Sequence, residues 1–329
     1  MHCELVVPGL FAAPRAARLP AAELLIARGR CTSGASRGLE DWLHDAFALD
    51  DEPLPAGALT LLAGGGEPAG YAWSRADPVH LRLMRDRLVL VPAAVLGITS
   101  GEAEGLCDAL NRHFGERLAL QVIDAARWVA RTPPELALGS APPLALAGRD
   151  VALAMPADTA VHQLLNEAQM VLHSHPVNEA REARGAPAIN SVWLWGAGRL
   201  ASIEAPCWQS VSAAEPLALG LARAAGVRHR ALPASGAAWL ERMPEEGRHL
   251  VVLDALRAPL ALSEAADYQE ELARLERDWF APLLAALRDG RVGMVTIHVP
   301  DAGECAAYET IRGDLRRFWR RPKSLEHYA

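Results

Sequence analysis

Four residues whose side chains could bind an anion lie close together in the sequence: His175, Asn178, Arg181 and Asn190. We call them the polar cluster. Proline suits the first turn of a helix, so the pattern predicts a short helix that starts at Pro176 and carries Asn178 and Arg181 on one face. A guanidinium offers a planar fork to phosphate or carboxylate, and an amide adds neutral donors. The polar cluster therefore predicts a site for an anionic, oxygen-rich ligand, although each residue taken alone suits a helix cap, a turn or a solvated helix face.

Two further polar residues lie at or near the ends of predicted strands. Apolar runs at residues 250–253 and 292–299 flank an amphipathic helical pattern at residues 264–287, which predicts a β-α-β crossover in a mostly parallel sheet. Ligands bind beyond the carboxyl ends of such strands, so Asp254 and His298 are also candidate binding residues. The alternative is that both residues only end strands and cap loops.

A glycine pattern after the polar cluster suggests a different ligand. Residues 196–201 match G-x-G-x-x-A, which is typical of dinucleotide-binding turns. That site needs a helix from the second glycine and an acidic residue about twenty positions later. Pro206 would interrupt the helix, and no amphipathic pattern follows Ala201. We therefore expect no nicotinamide or flavin site.

Composition indicates a folded protein without a nucleic-acid partner. The 329 residues suffice for one large domain with an insertion or for two domains, and 51% of them are apolar and 22% charged. The net charge of −7 gives no general attraction to nucleic acids. One segment differs, because Phe318 and Trp319 are surrounded by the basic residues Arg312, Arg316, Arg317, Arg320, Arg321 and Lys323. Such a run is usually a solvated helix face, but residues 312–328 remain a candidate surface for a protein partner.

The cysteine content and the hydropathy of the sequence indicate the cellular compartment of the protein. The five cysteines are widely spaced and contain no C-x-x-C pair, so neither a zinc site nor a disulfide framework is expected. No run of eighteen apolar residues occurs, and the short apolar stretch near Met1 lacks a basic region before it. We expect a cytoplasmic protein that does not bind membranes.

Loop-forming residues divide the chain. Prolines and a triple glycine within residues 49–70 indicate linker chemistry and a boundary near residue 70, and residues 132–148 are rich in proline, alanine and glycine. Between these stretches, a well-marked helix at residues 100–114 is flanked by short strand-like runs. Residues 71–148 are therefore predicted to form a small α/β unit of their own.

Several pieces of the sequence resemble a known family. They are Asn166-Glu-Ala-Gln-Met170, His175-Pro-Val-Asn178 with Arg181, Gly185 and Asn190, Trp193-Leu-Trp-Gly-Ala-Gly198, Ala76-Asp-Pro-Val-His-Leu81 with Asp86, the helix carrying Glu104, Leu110, Asn111, His113 and Phe114, and Arg127-Trp128. These pieces resemble the bacterial RpfE-type regulatory proteins, which are similar to the archaeal-type 2,3-bisphosphoglycerate-independent phosphoglycerate mutases. The resemblance covers nearly the whole chain and is most specific between residues 160 and 200. It implies an alkaline-phosphatase-like core with a mostly parallel sheet and helices on both faces, formed by residues 1–70 and 149–329, with residues 71–148 as a smaller inserted α/β domain.

The resemblance also implies a catalytic apparatus that this sequence lacks in part. In active mutases, two divalent metals bound by Asp and His activate a serine that transfers the phosphoryl group. Here the first strand is followed by Pro8 and Gly9 in place of an Asp-Gly pair, and Ile297 precedes His298 where an Asp-His pair is implied. The implied lysine and Asp-x-x-x-His run after Asp254 are also missing. We therefore expect no catalytic or metal-ligating residues.

Three hypotheses follow. The first is a catalytically degenerate, regulatory protein that needs no cofactor and binds a small phosphorylated or carboxylated metabolite through the polar cluster, Asp254 and His298, unless the polar cluster only stabilises the fold. The second is an active Mn²⁺- or Mg²⁺-dependent mutase or phosphatase, with ligands drawn from Glu4, Asp41, Asp45, Asp158 and Asp254 and from His44, His162 and His298. The third is a protein-interaction module that acts through residues 312–328.

Overall fold

Helices and strands alternate along the chain and assemble into two compact units. The computed structural model describes residues 1–12, 18–34, 38–49, 53–85, 87–133, 136, 138, 141–242, 246–301 and 305–328. The first unit combines Met1–Leu49 with Ile203–Ala329, and the second unit is the continuous stretch Asp50–Ser202. Within the described ranges, no helix is long and apolar enough to cross a lipid bilayer.

The first unit begins with two strands and two helices. Their bounds are β1 (His2–Val6), α1 (Pro20–Arg28), β2 (Arg30–Gly34) and α2 (Leu39–Ala46). Pro20 fits the first turn of α1 because a backbone donor is not needed there. The buried Glu23 carboxylate accepts hydrogen bonds from the Arg18 side chain at 2.8 Å and from the Leu19 amide at 3.2 Å, which stabilises the start of this helix.

The second unit is built on an antiparallel sheet. Its elements are α3 (Ala56–Ala63), β3 (Trp73–Met84), β4 (Arg87–Pro92), α4 (Ser100–Phe114), β5 (Ala119–Asp124), β6 (Arg127–Arg131), α5 (Pro143–Leu146), α6 (Thr159–His173), α7 (Pro176–Ala183) and β7 (Ser191–Gly198). The strand order is β4-β3-β6-β5, and β7 pairs with the first half of β3. Helices α4 and α6 share an apolar core with the sheet, in which Trp128 and Leu172 are fully buried.

The chain then returns to the first unit. The elements are β8 (Ser210–Ala213), α8 (Pro216–Ala224), β9 (Arg228–Ala231), α9 (Gly236–Arg242), β10 (Arg248–Val252), α10 (Arg257–Ala261), α11 (Ala265–Leu275), α12 (Ala281–Asp289), β11 (Met294–Pro300) and β12 (Cys305–Ile311). A π-helical turn, Glu276–Phe280, joins α11 to α12. The basic C-terminal run forms only a short 3-10 helix, Arg312–Arg316, rather than a longer helix face.

The sheet of the first unit is mostly parallel. Its described strands follow the order β2-β12-β11-β1-β10-β8-β9, in which β11 to β9 run parallel and β12 and β2 are antiparallel. One face carries Leu5, Val251 and Ile297 into an apolar core with α1, α11 and α12. Helices α2 and α8 lie on the opposite face, where the Trp42 ring is 5.1 Å from the His298 ring. The predicted parallel α/β architecture and its β-α-β crossover are thereby confirmed.

The boundaries of the two units differ from the predicted domain boundaries. Residues 59–63, expected within a linker, lie in α3, and α3 approaches β3 so closely that a Cβ at Gly57 would come within 2.4 Å of the Ser74 backbone. At the other end, β7 pairs with β3 over Trp73–Val79. The second unit therefore includes α3 and the whole polar cluster, which the resemblance had placed in the larger domain.

Candidate functional site

The polar cluster lies in the second unit, and its side chains are hydrogen-bonded within that unit. Asn178, which is buried, donates from Nδ2 to the carbonyls of Leu172 at 2.8 Å and Ile189 at 2.9 Å. Its Oδ1 accepts from the Ile189 amide at 2.7 Å. These three bonds join the end of α6 to the segment that enters β7. The Asn178 carboxamide thus connects two elements through their backbones.

Arg181 is fully buried and makes contacts that leave little for a ligand. Its Nε donates to the Pro187 carbonyl at 2.8 Å, Nη1 donates to Glu102 Oε2 at 3.0 Å, and Nη2 donates to the Leu96 carbonyl. Burial alone would raise the pKa of Glu102, but hydrogen bonds from the Thr99 amide and from two arginines lower it to about 2. Arg181 is therefore one half of a charged pair that links α7 to α4.

The other two members of the polar cluster also bond to the backbone. Asn190 pairs with both backbone groups of Leu81, at 2.7 Å through Oδ1 and 2.9 Å through Nδ2, and so extends the contact between β3 and the β7 segment. His175 Nδ1 accepts from the Val177 amide at 3.2 Å and caps α7. The geometry of the polar cluster favours the fold-stabilising alternative over the ligand-binding one.

Asp254 and His298 lie in the first unit, near the carboxyl ends of strands of the parallel sheet. Asp254 follows β10, and His298 lies in β11 opposite Val6, the last residue of β1, while Asp301 comes directly after β11. Strand β11 ends at Pro300, one residue beyond the predicted end at residue 299, so His298 lies near the end of its strand. Asp301, which sequence reasoning missed, accepts a 2.8 Å hydrogen bond from the Gly9 amide.

Four charged residues converge at this carboxyl edge, and we call them the edge cluster: Glu40, Glu215, Asp254 and Arg257. Arg257 Nη2 lies 2.5 Å from Glu40 Oε1. Burial would lower the pKa of Arg257, but the charges of Glu40, Glu215 and Asp254 raise it. Burial, with the nearby Asp254 charge, raises the pKa of Glu215 to about 7.

Glu215 also has a structural role, since its Oε2 accepts from the Ala218 amide at 3.1 Å and caps α8. The sequence carried a signal for this residue, because a carboxylate before Pro216 and after a strand-like run is typical of a helix start at a strand end. Sequence reasoning missed it, together with Glu40 and Arg257, whose association depends on the tertiary fold.

A second charged group lies on the sheet face under α2. Glu4 is buried on β1, 3.3 Å from His298 Nε2 and 2.6 Å from Arg248 Nε, and His2 Nδ1 is 3.6 Å away. Burial would raise the pKa of Glu4, but hydrogen bonds from His298 and Arg248 lower it to about 2. Of the carboxylates and imidazoles considered as alternative metal ligands, the structure brings Glu4 and His298 together. Among the residues that are described, no three His, Cys, Asp or Glu side chains have the arrangement of a metal site.

One segment of this chain is similar in sequence to a known mutase. A 113-residue match, 32% of this chain, is 31% identical to the 2,3-bisphosphoglycerate-independent phosphoglycerate mutase 2 of Methanothermobacter thermautotrophicus and spans 28% of its length. This segment is homologous to the archaeal-type mutase. The match thus covers less than a third of either protein. No protein-family profile matches the chain.

The fold of this chain is shared by a solved structure. The PH0037 protein of Pyrococcus horikoshii superposes with a TM-score of 0.59 over 94% of this chain and 87% of its own, at 15% identity. A cofactor-independent phosphoglycerate mutase from Thermoplasma acidophilum gives a TM-score of 0.43 over 95% and 90%, at 17% identity. The mixed α/β fold with a mostly parallel sheet, predicted from the sequence, is confirmed.

Proposed function

We propose that this chain is a phosphoglycerate-mutase-like protein of the RpfE type that does not carry out two-metal phosphoryl transfer and that acts in the cytoplasm as a regulatory, metabolite-binding protein. The observation that carries the proposal is the donor set at the carboxyl edge of the parallel sheet. A two-metal centre needs several carboxylates and imidazoles converging on each cation. The residues at the implied positions do not supply them.

Two of the implied ligand positions are occupied by apolar residues. Ile297 is fully buried in the core shared with α11 and α12, on the sheet face opposite His298. After β1 come Val7, which is also buried in that core, and Pro8. Replacing ligands by core residues removes both the charge and the donor atoms, so these positions contribute to packing and not to cation binding.

Three carboxylates at this edge, those of Glu40, Glu215 and Asp254, already face a positive charge. Arg257 is paired with Glu40 and lies in the field of Glu215 and Asp254. A divalent cation would have to compete with a guanidinium that is held among these carboxylates, and repulsion from that guanidinium would weaken its binding. The edge cluster therefore does not fit the two divalent metals of the mutases.

A coupled mutase assay tests the proposal. Purified protein is assayed with 3-phosphoglycerate in Mn²⁺ and in Mg²⁺, with and without chelator, beside an active archaeal-type mutase as the positive control. We expect no turnover above the chelated sample. Metal-dependent turnover that disappears with chelator would overturn the proposal.

The alternative function is an active metal-dependent mutase or phosphatase, which is favoured by the homologous segment and by the closeness of Glu4 to His298. It predicts that Glu4→Gln and His298→Asn each abolish turnover. The exposed Glu326→Gln serves as the matched control. The absence of metal-dependent turnover in the unmodified protein would contradict this alternative, and turnover retained by Glu4→Gln and His298→Asn would exclude these two residues as the metal ligands.

A further inference from the structure

A cavity of about 560 Å³ opens in the first unit where the end of α1, the edge strand β2, β12 and the C-terminal segment meet. Its lining includes Arg30, Cys31, Tyr308, Arg317, Arg320 and Tyr328. This volume is within the range of small-molecule sites, roughly 300–1,000 Å³. No Asp or Glu is among the described residues that line it. The chemistry of this cavity is therefore basic and aromatic.

Two of its arginines are held in place by the protein. Arg317 Nη1 donates to the Arg28 carbonyl at 3.1 Å, and Arg320 Nη1 donates to the Gly29 carbonyl at 2.7 Å. Each guanidinium has five N–H donors, so these bonds fix its position and leave further donors for an anion. A side chain that is already ordered loses less entropy when it binds a ligand.

The charge around the cavity is only partly compensated. Asp314 pairs with Arg317 at 2.8 Å, whereas no carboxylate of the described chain forms an ion pair with Arg30 or Arg320. The sequence around these arginines carries further exposed basic residues, namely Arg312, Arg316, Arg321 and Lys323. A concave site with one sign of charge attracts ions of the other sign.

The remaining wall is aromatic. The Tyr308 and Tyr328 rings are 6.1 Å apart in an edge-to-face arrangement, and Tyr328 also stacks on Phe11 at 5.9 Å. An apolar wall beside cationic groups suits a small molecule with an anionic group and a carbon skeleton, and such sites usually combine apolar walls with a few polar anchors.

We propose that this cavity binds a small molecule that carries a phosphate or carboxylate group, anchored by Arg317 and Arg320. The inference rests on the proposed function in one respect, since it gives the metabolite-binding half of that function a location. Because the polar cluster is hydrogen-bonded within the second unit, the basic cavity offers the guanidinium donors that the polar cluster does not.

Calorimetric titration of the full chain at low salt tests the proposal, with 3-phosphoglycerate, inorganic phosphate and citrate as probes. We expect saturable binding of at least one probe, weakened at least about tenfold in Arg317→Ala and in Arg320→Ala. Arg321→Ala removes the same charge from the same segment outside the lining and should bind as the unmodified protein does. Equal weakening in all three variants would show diffuse surface attraction and overturn the proposal.

Structural effects are separated from binding by a third variant. Arg317 and Arg320 also donate to carbonyls at the end of α1, so their substitution lowers stability as well as binding. The Arg30 side chain makes no hydrogen bond to another described residue. Arg30→Ala should therefore fold normally and bind the ligand more weakly. Saturable binding that all cavity variants retain would place the ligand elsewhere, which overturns this inference but not the proposed function. Binding of a phosphoserine peptide without binding of any small probe would replace the metabolite by a protein partner and equally overturn it.

Discussion

The imidazole Nε2 of His298 lies 3.3 Å from Oε2 of Glu4, across the adjacent parallel strands β11 and β1. Arg248 approaches the other Glu4 oxygen from β10 on the opposite side. A buried carboxylate is costly unless hydrogen-bonding partners satisfy it, and here partners from two neighbouring strands do so. The group therefore joins three strands at the centre of the first unit.

Glu4→Gln should destabilise the protein at neutral pH. The pKa of Glu4 lies near 2, below its ordinary value of 4.5, so the ionised carboxylate stabilises the fold above about pH 4.5 and this contribution is lost as the pH falls toward 2. We expect the substitution to lower the free energy of unfolding by ~2–3 kcal/mol at pH 7 and by less at pH 3. Urea unfolding of this variant and of the exposed control Glu326→Gln measures it, and a pH-independent loss would contradict the electrostatic explanation.

Glu215→Gln should have the opposite pH dependence. Since the pKa of Glu215 is raised to about 7, the folded protein holds a proton there that the unfolded chain releases above about pH 4.5, and stability falls as the pH rises through that interval. A glutamine keeps an oxygen to cap α8. We expect the free energy of unfolding of the variant to exceed that of the unmodified protein by ~1–3 kcal/mol at pH 8 and to differ little from it at pH 4. Thermal unfolding between pH 4 and pH 8 measures the difference in stability, with the exposed Glu204→Gln as control. Equal stability of Glu215→Gln and the unmodified protein at pH 8 would contradict the prediction.

Arg181→Ala should be far more damaging than Arg184→Ala, although both arginines contact Glu102. Removing the fully buried Arg181 takes one of two guanidinium partners from Glu102 and a donor from the carbonyls of Leu96 and Pro187, which costs ~3–5 kcal/mol. Arg184 is half exposed, and its loss should cost at most ~1 kcal/mol. Hydrogen exchange within α4 and α7 reports the local effect. If Arg181→Ala had the hydrogen exchange of the unmodified protein but bound metabolites more weakly, the structural explanation would be wrong and the polar cluster would be a ligand site.

The C-terminal segment should separate into a structural part and an exposed part. Leu325 is buried in the core of the first unit, so Leu325→Ala should cost ~2–4 kcal/mol. Phe318 and Trp319 are 77% and 66% exposed, so the double alanine variant should change stability by less than ~0.5 kcal/mol. If this segment binds a protein partner, the double variant loses capture while its unfolding is unchanged. Deletion of the whole tail would confuse the two effects.

The sequence by itself determined the local elements. Caps and apolar periodicity act over three or four residues, which is why the helix at residues 100–114, the helix that starts at Pro176 and the crossover from β10 to β11 were all predicted correctly. Where the local signal was ambiguous, the prediction was less successful. The short apolar run at residues 59–63 could not reveal by periodicity that it belonged to α3.

Only the tertiary structure decided which elements and which side chains meet. The pairing of β7 with β3 places the polar cluster in the second unit. It also brings Asn190 into contact with Leu81, 109 positions away in the chain. Glu4 and His298, 294 positions apart, became partners because β1 and β11 are neighbours in the sheet. Such contacts depend on packing between distant segments, which no spacing in the sequence encodes. The residue types of the polar cluster indicated an anion site, but the fold uses their donors for backbone carbonyls and an internal carboxylate.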